Sequence, residues 1–489
     1  MSAILGSQER QLVPSWNKWD SHVRQLNQLH SSPPIPRMSE TEMQSRLAEY
    51  HAKPSVGRAS ELFSAAIVGS KTSEQVAEIA RKILGVEINS PVLREVAEVL
   101  ASGDFPNLAE RRSSLKSTSS ISNLREFLTF EPRNAVRWSD LAREYLAMGL
   151  WSKANRAMKV ALHLAPDHYY ILRANSTLLW QQDQLDKAID TLNMHPKILE
   201  DPRLAAPLVA LSDLSGAKLP GSRHFLKIID DENYSRLQRS ELAAAFGTLE
   251  LSEGSAKRGI KLLRRSLDTP TENVLAQAMW LNAERKVSLI EELPTNIAHL
   301  NEARSRQHAT RFEWHESLKS TEKWFEDEPY STPAAIFGTW TASEACEWRR
   351  GVEFAKRGLK ISPNSATLLN NIAYHSIQLG DFLEARHHLE LASKVDADAT
   401  EERVLDATEG LLAFRIGEHA KGRYLYQNSI DYFVAKKNWD RALEASVRLA
   451  IEEERIGSEF QQESRDQVQN LSSKSNDPNV LRHLNLLSW

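Results

Sequence analysis

The chain has 489 residues, enough for several domains or one elongated array, with 41% hydrophobic and 26% charged residues. Its 19 glycines and 19 prolines make up about 8% of it, below the roughly 12% of average usage, which favours long helical runs over a turn-rich β protein. A formal net charge of −4 argues against a broad electrostatic hold on nucleic acid, no apolar run approaches the roughly 18 residues of a membrane span, and a single cysteine allows no internal disulfide.

The first ten residues lack a basic segment followed by an apolar core, so no secretory signal is expected and a reducing, cytoplasmic setting is the simplest one. Trp16, Trp19, Val23 and Leu26 follow, and the last three share one face at helical spacing, which predicts an amphipathic helix within 1–30. The run SSPPIPR at 31–37 cannot continue that helix, because consecutive prolines remove donors and restrict the residues before them. Residues 1–37 thus read as a helix and a proline-rich linker. Helical periodicity returns at Glu42, and 38–134 reads as degenerate helical repeats. These hold a helix pair at 61–68 and 74–84, capped by Thr72 or Ser73, and a third helix at 91–101 opening on a tolerated proline. A DNA-reading helix-turn-helix is disfavoured, since the interval from Ala77 to Gly85 is too long for its compact turn. The serine-rich run at 112–122 reads as a mobile loop, and 124–130 as a helix ending near Pro132.

Residues 135–168 set a pattern: Trp138, Leu141, Ala142 and Tyr145 on a first helix, then Ala154, Met158, Ala161 and Pro166 on a second. The same pattern returns 34 residues later over 169–202, with Leu172, Leu179, Ala188 and Leu192, and His195-Pro196 shortening its second helix. The stretch 203–297 reads as degenerate repeats with an insertion, because Pro207, the interval 216–221 and Asp230-Asp231 interrupt the period. Within it 237–270 recovers register through Ala243, Ala244, Ala256, Ile260 and Leu263, and Pro294 breaks a further helix at 273–290. Residues 298–436 read as a second run of repeats, with the period kept over 298–399. The unit 298–331 carries Ser317, Thr321, Trp324 and Pro329, and 332–365 carries Gly351, Ala355, Gly358 and Pro363. In 366–399, Leu369, Ile372, Ala373 and Ser376 precede a turn at Gly380-Asp381, and Ala385, Leu389 and Ala392 follow it. After a slip of about three residues, 403–436 fits with Gly410, Gly417, Gly422, Tyr426 and Ile430. Residues 437–489 read as a C-terminal capping helix, over 439–456, and a tail that packs back on the array. Cys346 falls within a repeat helix and reads as a small buried thiol.

Set against W-x2-L-G-x2-Y…A-x3-F…P, the unit 135–168 departs only in Ala142 for Gly and Met158 for Phe, and the chain resembles the tetratricopeptide-repeat family. That resemblance implies an all-α, right-handed α-solenoid of helix-turn-helix repeats whose first helices line a concave face. It also implies that exposed side chains on those helices choose a protein or peptide partner. The matching positions are Arg143; Tyr170, Arg173 and Trp180; Phe337 and Trp340; Asn370, Asn371 and Tyr374; and Phe414 and Arg415. Trp340, Asn371 and Tyr374 are expected to share that face. Some members clamp a peptide's terminal carboxylate with Lys, Asn and Arg; here Asn371 matches one position, but Ile336, Trp340, Ala407 and Thr408 stand at others. An aromatic or amphipathic segment is the better ligand for such a groove.

No catalytic motif is present: no GxxxxGK[ST], GxSxG, HExxH or paired CxxC. His387-His388 diverge on a helix, His308 and His315 lie two turns apart, and the SxxK string at Ser320 and Lys323 has no companion motif. The acidic run Glu326-Asp327-Glu328 is a solvated helix end. The reading is a non-catalytic scaffold or adaptor without cofactor or metal, a subunit of a multiprotein assembly, with no membrane and no direct nucleic-acid contact. The alternative is a regulatory sensor whose groove binds a peptide or small ligand and controls an effector; a nucleic-acid-binding solenoid comes third, for want of a basic stripe.

Overall fold

A computed structural model describes residues 12–13, 15–16, 40–68, 73–86, 91–102, 121–216, 219, 222–284, 287–295, 297, 299–475 and 477–487. Every regular element among them is helical. The chain divides into two compact units, Lys18–Leu141 and Met1–Asn17 with Ala142–Trp489.

In the smaller unit, helices α1 (Glu40–Ala52), α2 (Val56–Val68), α3 (Glu74–Leu84) and α4 (Pro91–Ser102) enclose Leu62, Phe63, Val76, Ile79, Ile83 and Leu100. Ser73 caps α3 as its sequence position suggests, its hydroxyl accepting the Val76 N–H at 3.3 Å. Helix α5 (Ile121–Phe130) follows, and α6 (Ala135–Ala147) runs from this unit into the next. The face of Trp19, Val23 and Leu26 read as an amphipathic helix, the proline-rich linker and most of the serine-rich run lie outside the described residues; Ile121 and Ser122 begin α5.

The larger unit is an array of helix hairpins. After α6 come α7 (Trp151–Leu164), the pair α8 (Tyr169–Gln181) and α9 (Leu185–Asn193), the pair α10 (Pro202–Ser215) and α11 (Ser222–Asp230), and the pair α12 (Arg236–Glu253) and α13 (Ala256–Ser266). Next stand α14 (Glu272–Glu284), then α15 (Asn301–Thr310) with α16 (Trp314–Asp327), α17 (Thr332–Glu344) with α18 (Trp348–Ile361), and α19 (Ala366–Leu379) with α20 (Phe382–Ala392). Helices α21 (Ala399–Arg415), α22 (His419–Ala435), α23 (Trp439–Arg455) and α24 (Gln461–Ser472) precede α25 (Pro478–Leu481) and a 3-10 turn, Arg482–Leu486.

Two local devices set the repeat. The first helix of a pair ends on a left-handed residue, found at Gly149, Asp183, Phe312, Cys346 and Gly380, so the interval of 34 recurs in backbone conformation. At Gly380 the Asp381 N–H then donates to the Ser376 carbonyl at 2.8 Å, satisfying a group the helix leaves open. Small residues twelve apart let paired helices touch. The Ser305 and Ser317 hydroxyls exchange bonds with each other's carbonyls at 2.9 and 2.8 Å, and a Cβ on Gly259 would lie 2.8 Å from the Gly247 carbonyl oxygen. These hairpins make the unit an all-α solenoid. The array also meets itself further along: Trp151 Nε1 donates to the Ile361 carbonyl at 3.1 Å, and Arg143 donates to the Asp327 carbonyl.

Several sequence expectations change. The described residues within 203–236 form a helix pair, α10 and α11, with Pro207 inside α10. Proline supplies no N–H to the Arg203 carbonyl four residues back. That carbonyl instead accepts Arg173 Nη1 at 2.8 Å, which is why the helix persists. The helix expected over 273–290 ends at Glu284, and no second helix follows it among the described residues before Asn301: Asn282 accepts the Leu289 N–H at 2.8 Å and donates to the Ile290 carbonyl at 2.5 Å, holding an irregular return. Cys346 is exposed, because it stands at the left-handed turn position and not within a helix. The helix at 439–455 does not end the array, since α24 pairs with it. The tail then packs back, with Val480 and Leu487 buried and Arg482 and His483 both facing Glu344.

Candidate functional site

The first helices of the larger unit carry an occupant from the same chain. Residues 12, 13, 15 and 16 have no regular structure, yet Leu12, Val13 and Trp16 are buried. Leu12 and Val13 join a core with Leu172 of α8, Leu204 and Leu208 of α10, Phe246 of α12 and Val274 of α14. Trp16 is 1% exposed and meets the Tyr330 ring at 5.6 Å between centroids.

Three polar contacts on this segment reach its main chain. Arg143 Nε donates to the Trp16 carbonyl at 2.8 Å, the Trp16 N–H donates to Tyr330 Oη at 2.6 Å, and Asn273 Nδ2 donates to the Val13 carbonyl at 3.3 Å. One reaches a side chain: Ser15 Oγ donates to Glu272 Oε1 at 2.9 Å. The supporting groups are themselves tied. Arg143 pairs with Glu144 at 2.8 Å and lies over the Tyr330 ring at 5.5 Å, while Arg173 pairs with Glu241 at 2.6 Å. Thr271 Oγ1 also donates to Glu241, at 3.2 Å. Burial pushes the Tyr330 phenol well above its ordinary value, so it stays a neutral hydroxyl beside the segment. Burial, helped by the nearby Glu241 carboxylate, raises Glu272. Behind Tyr330, the bond to Asp327 raises His299, and Asn301 Nδ2 donates to the same carboxylate at 2.7 Å.

Of the eleven side chains placed on the concave face by resemblance, Arg143 hydrogen-bonds this segment and Arg173 pairs with Glu241 in its support. Tyr170 is buried in α8, and Trp180 is half-buried against the core of α8 to α14. Phe337 is buried edge-on to Trp324 and Trp340, with centroids 5.9 and 5.0 Å away, and half-buried Trp340 meets Trp314 at 5.3 Å. Asn370 and Asn371 are buried, the latter donating to Thr339 Oγ1 at 2.7 Å. Tyr374 is 1% exposed beneath Trp348. Phe414 is buried against Tyr426, and Arg415 makes a two-pronged pair with Glu452 at 2.8 and 2.9 Å. Asn371 and Tyr374, expected on an open face with Trp340, are therefore enclosed: they join adjacent repeats.

The sequence reading missed Leu12, Val13, Tyr330, Asn273 and Glu272. Its available signal was the short apolar run Leu12-Val13 before Trp16, which fits neither helical nor strand periodicity. Among the described residues no group of three metal-ligating side chains gathers, and no helix is long and apolar enough to cross a membrane.

No family model and no curated protein matches the sequence. Solved structures of repeat proteins are similar to it. Yeast Tom70 is 13% identical over 80% of this chain and 94% of its own, with a TM-score of 0.34. The Cut9–Hcn1 hetero-tetramer of APC/C is 14% identical over 89% and 90%, at 0.42. The TPR2AB-domain:pHSP90 complex of yeast Sti1 is 14% identical over 59% and 98%, at 0.22. Likeness at this level assigns neither partner nor residue role.

Proposed function

We propose that the chain is a non-catalytic scaffold or adaptor that binds another protein through an extended segment laid on its first helices, as a subunit of a larger assembly. One observation carries this reading: the first helices already hold a segment without regular structure, through the Val13 and Trp16 main chain. Main-chain hydrogen bonds give affinity for an extended peptide, and pockets for its side chains give selectivity. The test is quantitative affinity purification of the tagged full chain beside an Arg143→Ala, Asn273→Ala variant of unchanged helicity. A stoichiometric protein retained by the wild type and lost at least tenfold by the variant is expected, with Glu390→Ala on an exposed face as the control. Equal retention by the site variant overturns the assignment of the surface. A retained small ligand in place of a protein points to the sensor, and retained nucleic acid to a nucleic-acid-binding solenoid.

A further inference from the structure

We propose that the seat under residues 12–16 is a binding site for an uncharged, extended partner segment with two adjacent aliphatic residues followed, three positions after the second, by an aromatic ring. The N-terminal segment holds this site in cis until such a segment displaces it. The inference rests on the scaffold reading and names its ligand class.

The resident segment is the template. Three of its polar contacts use a carbonyl or N–H that any extended peptide also offers. What selects among peptides is the apolar seat of Leu12 and Val13 and the Trp16 site against Tyr330. The arginines around the seat are already matched, Arg143 with Glu144 and Arg173 with Glu241, and burial pushes Glu272 toward its neutral form. A charged incoming side chain would meet no unmatched counter-charge there and would lose its hydration, so the fitting occupant is uncharged. The resident is also an imperfect occupant, since the buried Trp16 Nε1–H has no acceptor among the described residues. A buried donor left unpaired weakens the seated state. Tethering offsets that defect by keeping the segment at high local concentration, and a free competitor then sees only the open fraction of seats.

The probe is a dye-labelled synthetic peptide QLVPSWN, the sequence of residues 11–17, titrated by anisotropy into the full chain. Trp16→Ala or Val13→Asp, each outside any helix, should open the seat and tighten peptide binding at least tenfold over wild type. Adding Asn273→Ala to the Trp16→Ala chain should weaken it at least tenfold again, with circular dichroism unchanged. Equal affinity in wild type and both segment variants, or no binding to variants of intact helicity, overturns the inference. Should a substitution disturb the helices, hydrogen exchange in the wild type decides: saturating peptide must speed exchange of the Trp16 amide, and an unchanged rate overturns the proposal. Partner capture that persists while the peptide binds nowhere sinks this inference alone, whereas loss of both sinks the scaffold reading as well.

Discussion

His375 shows how a single residue couples the array to pH. Its ring is buried beside Trp348, and Nε2–H donates to the Thr339 carbonyl at 3.2 Å. Burial brings its pKa from 6.5 down to about 4, against the smaller upward pull of that bond. The unfolded chain takes up this proton as pH falls below 6.5, while the folded chain resists until about 4. The stabilisation is therefore complete above pH 6.5 and declines by up to about 1.4 kcal/mol per pH unit across that window. Denaturant midpoints at pH 7.5 and 5 should differ more for wild type than for His375→Leu; equal differences would place the ring in water. Two turn glycines make a second test. Gly149 has φ of +71°, and a Cβ there would lie 2.0 Å from the Lys360 carbonyl oxygen, whereas Gly380, at φ +80°, has open space around it. Gly380→Ala is expected to cost about 1–2 kcal/mol, the left-handed penalty alone. Gly149→Ala must also displace backbone, and should lower the calorimetric melting temperature further.

Between elements, small contacts and rescued backbone groups decide register. Ala385 is fully buried in one core with Tyr374 and Ile377 of its own first helix. Ala385→Trp should overpack that contact at a cost of about 1–3 kcal/mol or more, and an unchanged melting temperature would show the register to be wrong. Arg173 serves two neighbours, the carbonyl that Pro207 leaves open in α10 and the Glu241 carboxylate on α12. Arg173→Met should therefore cost about 3 kcal/mol, measured by urea unfolding, because both partners lose their bond in a largely enclosed place. A paired Pro207→Ala change, which restores the helical N–H, should return part of that loss. Independent effects would separate the arginine from the helix break. Both roles were outside sequence reach, since Arg173 looked like a surface anchor and Pro207 like an interruption.

At the scale of the molecule, the aromatic residues of the first helices hold the array together. With Tyr374 enclosed, Tyr374→Ala should reduce stability by about 3–5 kcal/mol, so a Trp340→Ala, Tyr374→Ala chain reports on folding before it reports on binding. A double variant that melts like wild type would contradict the burial seen here. The surface proposed for recognition is the seat of residues 12, 13, 15 and 16, where Arg143 donates to the Trp16 carbonyl.

The sequence by itself determined the helices, their pairing and the period. These follow from local chemistry: alternating faces of Leu and Ala, small residues twelve apart at helix contacts, and Ser caps such as Ser331 and Ser365 placed 34 apart. Tertiary structure alone decided which first-helix side chains stay open, because that depends on what the next repeat and the returning termini lay over them. It put Cys346 in a left-handed turn that its neighbours' Schellman bonds enforce without glycine. It kept α10 whole across Pro207 through a side chain 34 residues earlier. It also seated Leu12, Val13 and Trp16 on helices more than a hundred residues away, without regular structure, so that the bonds the helices supply leave no periodic mark in the sequence.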